Sequence, residues 1–143
     1  MSDLDQPIWY AAYGSNVSSA RFRTYLEGGP VPHSTTGRIQ DGARDPSPPS
    51  GNGPCQIDRT MLFAGVSEQW GGGGVAFLDA DDSEPEFPVL GRAWRITLGQ
   101  FEDVFRQENR QEEIISIDLG SLMADGRLDL LDTGYGRIEL LDK

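Results

Sequence analysis

A chain of 143 residues is long enough for one hydrophobic core and too short for two, so residues 1–143 are expected to form a single domain. A net charge of −11, from 23 acidic against 12 basic side chains, argues against nucleic acid or an anionic membrane as partner. One cysteine, Cys55, and one histidine, His33, exclude an internal disulfide framework and the common zinc ligand sets. The acidic start Met1-Ser2-Asp3-Leu4-Asp5 is unlike a signal or transit peptide, and no apolar run reaches membrane-spanning length. The composition predicts a cytoplasmic, soluble protein that needs no metal or other cofactor.

In chain order, residues 8–13 read as a buried strand that stops at the polar turn Gly14-Ser15-Asn16. A β-prone segment ending in a tight turn before a helix presents fresh backbone N–H groups, which suit an anionic or carbonyl oxygen. Ser18 or Ser19 offers the N-cap of that helix, Phe22, Tyr25 and Leu26 share one face, and Gly28-Gly29-Pro30 ends it. Residues 31–54 are poor in apolar side chains, and Asp45 to Pro54 excludes helix or central strand. A long Pro/Gly-rich surface loop is expected over about 37–54.

Arg59 to Val66 alternates weakly and reads as a strand. Gly71 to Gly74 follow Trp70, and Val75-Ala76-Phe77-Leu78 reads as a short buried strand. After an acidic loop over 79–88, Val89 to Ile96 reads as a strand with Leu90, Trp94 and Ile96 on one face. Thr97 followed by Gln100 has capping-box spacing, which starts a second helix running to about Gln111. Ile114 to Ile117 and Gly136 to Leu141 read as closing strands. Two main helices among separated strands predict an α+β fold, a small closed or partly closed mixed β-barrel.

The second helix carries the most informative side chain. Phe101, Val104 and Phe105 form its apolar stripe at i, i+3 and i+4, and position i+7 is Glu108. A carboxylate continuing an apolar face is partly desolvated, which raises its pKa toward the range useful for proton transfer. The other reading is that the helix leaves the core by Glu108 and the carboxylate meets water. Glu102, Asp103, Arg106, Asn109 and Glu113 fall on other faces and are expected to be solvated. Glu112 lies near the Glu108 face, at or beyond the frayed end.

Tyr13-Gly14-Ser15-Asn16 after the first strand, Trp70-Gly71-Gly72 leading into Val75-Ala76, and Glu108 between Gln107 and Asn109 together resemble the gamma-glutamylcyclotransferase-like superfamily. The resemblance runs roughly from Trp9 to Leu141. It implies a small barrel with a cavity, in which Tyr13, Gly14, Ser15 and Asn16 bind substrate and Glu108 is the general acid/base. The implied substrate is a small gamma-glutamyl amide, cyclised to 5-oxoproline with release of the amine and no cofactor. Tyr135, in Thr133-Gly134-Tyr135-Gly136, resembles a late-chain aromatic that lines the pocket in relatives; alone it reads equally as an aromatic on a closing strand. Arg21 reads better as a solvated side chain on a surface helix than as a substrate contact.

Three departures from the family pattern stand out. Val17 replaces the usual Leu or Met, and the 37–54 loop exceeds what a compact member needs. The chain also stops at Lys143, so either the barrel is minimal or the C-terminus is truncated. The rival reading is a non-catalytic member that binds a small molecule or a partner on the same fold. A serine hydrolase is disfavoured because Ser15 lacks the Gly-x-Ser-x-Gly elbow and His33 is its only available base. Gly71 to Gly74 lack the Gly-Lys-Ser/Thr of a phosphate loop, and a zinc deacetylase would need more histidine than His33. The sequence leaves open both the oligomeric state and which amine the glutamyl group carries.

Overall fold

A computed structural model describes residues 3–67, 73–79, 84–132 and 135–141. Strand β1 (Pro7–Ala12) runs into a one-turn 3-10 segment, Gly14–Val17, and then helix α1 (Ser19–Glu27). Ser18 caps α1, its hydroxyl accepting from Arg21 N. Gly28 ends α1 at φ 80°, a conformation open to glycine and costly for other residues. Two short strands, β2 (Gly29–Pro30) and β3 (Ile39–Gln40), pair with each other. They are followed by β4 (Gly51–Ile57), the hairpin of β5 (Thr60–Ser67) and β6 (Gly73–Asp79), and the long strand β7 (Val89–Thr97).

Helix α2 (Leu98–Glu108) starts directly from β7 with the expected capping box: Thr97 Oγ1 accepts from Gln100 N, and Gln100 Oε1 accepts from Thr97 N, each at 3.1 Å. It ends three residues before Gln111. Helix α3 (Leu119–Asp125) and the pair β8 (Arg127–Asp129) and β9 (Arg137–Glu139) complete the chain.

β7 is the spine of the main sheet, with β1 antiparallel on one side and β4 antiparallel on the other. Tyr10 sits opposite Trp94, and Ala12 opposite Arg92. The described strands form four separate antiparallel sheets, none closed into a barrel. Closure requires a continuous staggered ladder, whereas the β5–β6, β2–β3 and β8–β9 ladders each stop at two strands.

Several sequence expectations are corrected here. The 37–54 loop is interrupted by β3 and gives way to strand at Gly51, because Gly51 to Pro54 occupy an edge, where a proline is tolerated. Ile114 to Ile117 form no strand; Asp118 caps α3 instead, accepting from Ser121 N at 3.1 Å. Leu90 is 80% exposed although Trp94 and Ile96 on the same face of β7 are buried. β1 reaches only as far as Arg92, and beyond it Val89 and Ile57 are the buried pair, on the opposite face. Trp9 is likewise 60% exposed, so β1 buries only one face.

Two core clusters meet on α2. One joins α1 and the sheet through Phe22, Leu26, Trp94, Ile96 and Val104, with the Phe22 and Trp94 rings stacked at 4.9 Å. The other joins α2 to the C-terminal segment through Leu98, Phe105, Ile117, Leu122 and Ile138. A helix wedged between two cores buries more than one stripe. Glu102 and Asp103, expected to be solvated, are accordingly 3% and 2% exposed. Arg44 reaches both carboxylates at 3.0 Å, and Ile117 N donates to Glu102 Oε2 at 2.8 Å. Gln100 donates to the carbonyls of Asp45 and Ser47. The segment 43–47 is therefore fastened to α2 by hydrogen bonds and ion pairs.

Candidate functional site

β1 ends with Tyr10 facing inward and Tyr13 at the rim, and the 3-10 turn then carries Gly14, Ser15 and Asn16 toward the C-terminal end of α2. Gly14 adopts φ 66°, and a Cβ there would sit 3.4 Å from the Ala76 Cβ of β6. The turn and β6 thus approach closely at a residue without a side chain. The first N–H groups of such a turn have no acceptor within it, and Gly14 and Ser15 are exposed. Asn16 is buried, its carbonyl accepting from the Trp94 indole N–H at 3.0 Å.

Glu108, in the last turn of α2, meets this turn from the other side. Its Oε1 accepts from Asn16 Nδ2 in a short hydrogen bond and from the Tyr10 hydroxyl at 3.3 Å. Asn16 Nδ2 also donates to the Tyr10 hydroxyl at 3.3 Å, so the three side chains form one network. Asn16 Oδ1 is buried with no partner among the described residues.

The carboxyl is half-buried. Burial is the largest influence on it and lifts its pKa from 4.5 to about 7, while the Asn16 hydrogen bond, the Arg21 charge and the Tyr10 hydrogen bond pull the other way. All four tyrosines of the chain, Tyr10, Tyr13, Tyr25 and Tyr135, feel the charge of Glu108. Burial first and that charge second push each phenol up, Tyr135 to about 12. Glu108 therefore sits among phenols that stay neutral, and burial, working against the Tyr10 hydrogen bond, favours its protonated form.

Tyr135 is fixed at both ends. Its hydroxyl donates to the Ala76 carbonyl at 2.9 Å, its N–H donates to Asn109 Oδ1 at 2.8 Å, and its carbonyl accepts from Asn109 Nδ2 at 3.3 Å. Asn109, expected to be solvated, is half-buried for that reason. β6, Tyr135 and the residue after Glu108 are tied into one wall.

No protein-family model matches the chain. A curated relative, Histone deacetylase 5 of Arabidopsis thaliana, is 33% identical over 147 residues, covering 95% of this chain. The chain spans only 22% of that protein. No solved structure gives a significant match.

The structure brings Asn16 into contact with Glu108 and places Tyr13 and Tyr135 within range of its charge. Gly14 and Ser15 form the exposed part of the same turn. Trp70, Gly71 and Gly72, and the Thr133-Gly134 step before Tyr135, lie outside the described residues. Glu112 is exposed beyond the end of α2.

Sequence reasoning missed two members. Tyr10 reads from the sequence only as part of a buried strand, yet it is a direct hydrogen-bond partner of Glu108. Arg21 is not solvated but 5% exposed: it donates to the Tyr25 hydroxyl at 2.6 Å and to Thr24 Oγ1 at 3.0 Å, and its guanidinium lies 4.2 Å from the Tyr25 ring centre. The available signal was spacing, since Arg21 precedes the buried Tyr25 by one helical turn. Its positive charge restrains the rise in the Glu108 pKa.

Proposed function

We propose that this chain is a gamma-glutamylcyclotransferase-like enzyme, converting a small gamma-glutamyl amide to 5-oxoproline and a free amine. The observation that carries the reading is a half-buried Glu108, with pKa about 7, hydrogen-bonded to Asn16 of the Tyr13–Asn16 turn. A general acid/base works best when its pKa lies near the working pH. Glu108 takes a proton from the substrate α-nitrogen as that nitrogen attacks its own γ-carbonyl carbon. The new C–N bond closes the five-membered ring and leaves negative charge on the former carbonyl oxygen. The exposed Gly14 and Ser15 N–H groups stabilise that charge. When the original amide C–N bond breaks, Glu108 returns the proton to the leaving amine. Ring closure is intramolecular, so positioning by Tyr13, Tyr135 and the turn supplies much of the rate.

The same reading takes the fold as gamma-glutamylcyclotransferase-like, the location as cytoplasmic and the partner as a small gamma-glutamyl compound. Deacetylation, suggested by the relative's name, draws no support from the residues. His33 is the single histidine, and no group of three or more His, Cys, Asp or Glu placed to hold a metal ion occurs among the described residues. We read the shared segment as a module separate from that protein's deacetylase chemistry.

Incubation with glutathione, a gamma-glutamyl amino acid and gamma-glutamyl-lysine, followed by mass spectrometry, tests the reading. Release of 5-oxoproline from any of them is expected. Tight binding of these compounds without turnover would instead establish the non-catalytic alternative.

A further inference from the structure

A concave site lies between β3 and the C-terminal end of α2, and neither Glu108 nor the Tyr13–Asn16 turn lines it. It encloses about 360 Å³ and is lined by Arg38, Gln40, Asp41, Arg106, Arg110 and Glu112, among others. Three of the chain's 12 basic residues meet here, although the net charge of the chain is −11. Arg106 is occupied: it pairs with Asp41 at 3.3 Å and donates to the Gln111 carbonyl at 3.2 Å.

The other two guanidiniums make no ion pair among the described residues, although the charge of Asp41 reaches Arg38 and Glu112 also lines the cavity. Arg38 donates to the Gln107 carbonyl at 3.1 Å, and neither Arg38 nor Arg110 has a carboxylate within ion-pair distance among the described residues. Burial and the nearby charge of Arg110 depress the pKa of Arg38, the mark of two like charges held together. Arg110 also holds φ 53°, a backbone conformation that non-glycine residues avoid. Gln40 is 4% exposed, and its Nε2 finds no acceptor among the described residues. Native structures seldom leave a buried donor unmatched without a reason.

We propose that this cavity binds a phosphate group, either inorganic phosphate or a monoester of a small organic molecule. Two guanidiniums without ion pairs suit a dianion, and their planar forks suit tetrahedral oxygens. A monocarboxylate would leave one charge uncompensated. The volume lies at the small end of ligand pockets, with room for a modest group on the phosphate. The site does not depend on the reaction proposed for Glu108.

Isothermal titration calorimetry at low salt with inorganic phosphate, phenyl phosphate and acetate is the test. Phosphate should bind, more weakly as salt rises. Arg110→Gln and Arg38→Gln should each weaken binding by about tenfold or more, while Arg23→Gln, whose residue pairs with Glu27 on α1, leaves it unchanged. Far-UV circular dichroism checks folding; if Arg38→Gln does not fold, the exposed Arg110 decides the matter alone. Tighter binding of phenyl phosphate identifies an esterified ligand, equal binding inorganic phosphate, and both uphold the site. No heat with phosphate at about 10 mM, affinity unchanged in Arg110→Gln, or tighter binding of acetate overturns it.

Discussion

Glu108→Gln should stabilise the protein increasingly as pH rises. In the folded chain the carboxyl holds its proton up to about pH 7, against 4.5 ordinarily. The native state therefore binds more protons than the unfolded chain between those values, and the contribution of Glu108 to stability is lost as pH climbs through that window. At about 1.4 kcal/mol per tenfold change, the ionised group costs roughly 2–3 kcal/mol above neutrality, after allowance for the access water has to it. A glutamine keeps an oxygen for Asn16 and Tyr10 and carries no charge to desolvate. Urea unfolding of both proteins, followed by tryptophan fluorescence at about pH 5 and about pH 8, isolates the effect because the other carboxylates cancel in the difference. Because about a quarter of the effect is already spent at about pH 5, just above 4.5, the variant should gain roughly 1.5–2 kcal/mol relative to wild type between these pH values, or roughly 4–8 °C in Tm. A stability difference that does not change with pH would refute the argument that burial of this carboxyl displaces its titration.

Three further substitutions, with Arg23→Ala as a control, probe the site and the packing around it. Asn16→Ala removes the hydrogen bond that most lowers the Glu108 pKa, so the acidic limb of the pH–rate profile should move to higher pH by about one pH unit. Arg44→Ala strands Glu102 and Asp103 in the core and should cost about 2–3 kcal/mol in urea unfolding, whereas Arg23→Ala at an exposed pair should cost under about 0.5 kcal/mol. Gly91→Ala would place a Cβ 2.3 Å from the Ala12 carbonyl oxygen where β1 ends against β7. Because that neighbour is backbone, it should destabilise by about 2 kcal/mol or more, read as a lowered urea midpoint at unchanged slope.

The parts legible in the sequence were those fixed by local rules. Ser18, Thr97 and Gln100 announce helix starts because capping uses side chains within three residues of each other, and Gly28 announces a stop because few other residues accept its φ. The i, i+3, i+4, i+7 series through Phe101, Val104, Phe105 and Glu108 holds for similar reasons. What the sequence hid depends on long-range packing. Asp103 and Glu102 look like surface residues until Arg44, nearly sixty positions earlier, folds over them. Leu90 looks like core until β1 stops short of it. α3 is a single short helix with one buried position, Leu122, too few for periodicity to register. At the site, Glu108 and the turn were visible separately. The link made by Tyr10, and the charge of Arg21 behind it, required the tertiary fold.

The most direct test of the central claim follows 5-oxoproline and the released amine by mass spectrometry, with wild type and Glu108→Gln side by side near neutral pH. Wild type should release both products in equal amounts, and the variant, which stays folded, should lose about a hundredfold or more. Equal product formation by Glu108→Gln would contradict the claim.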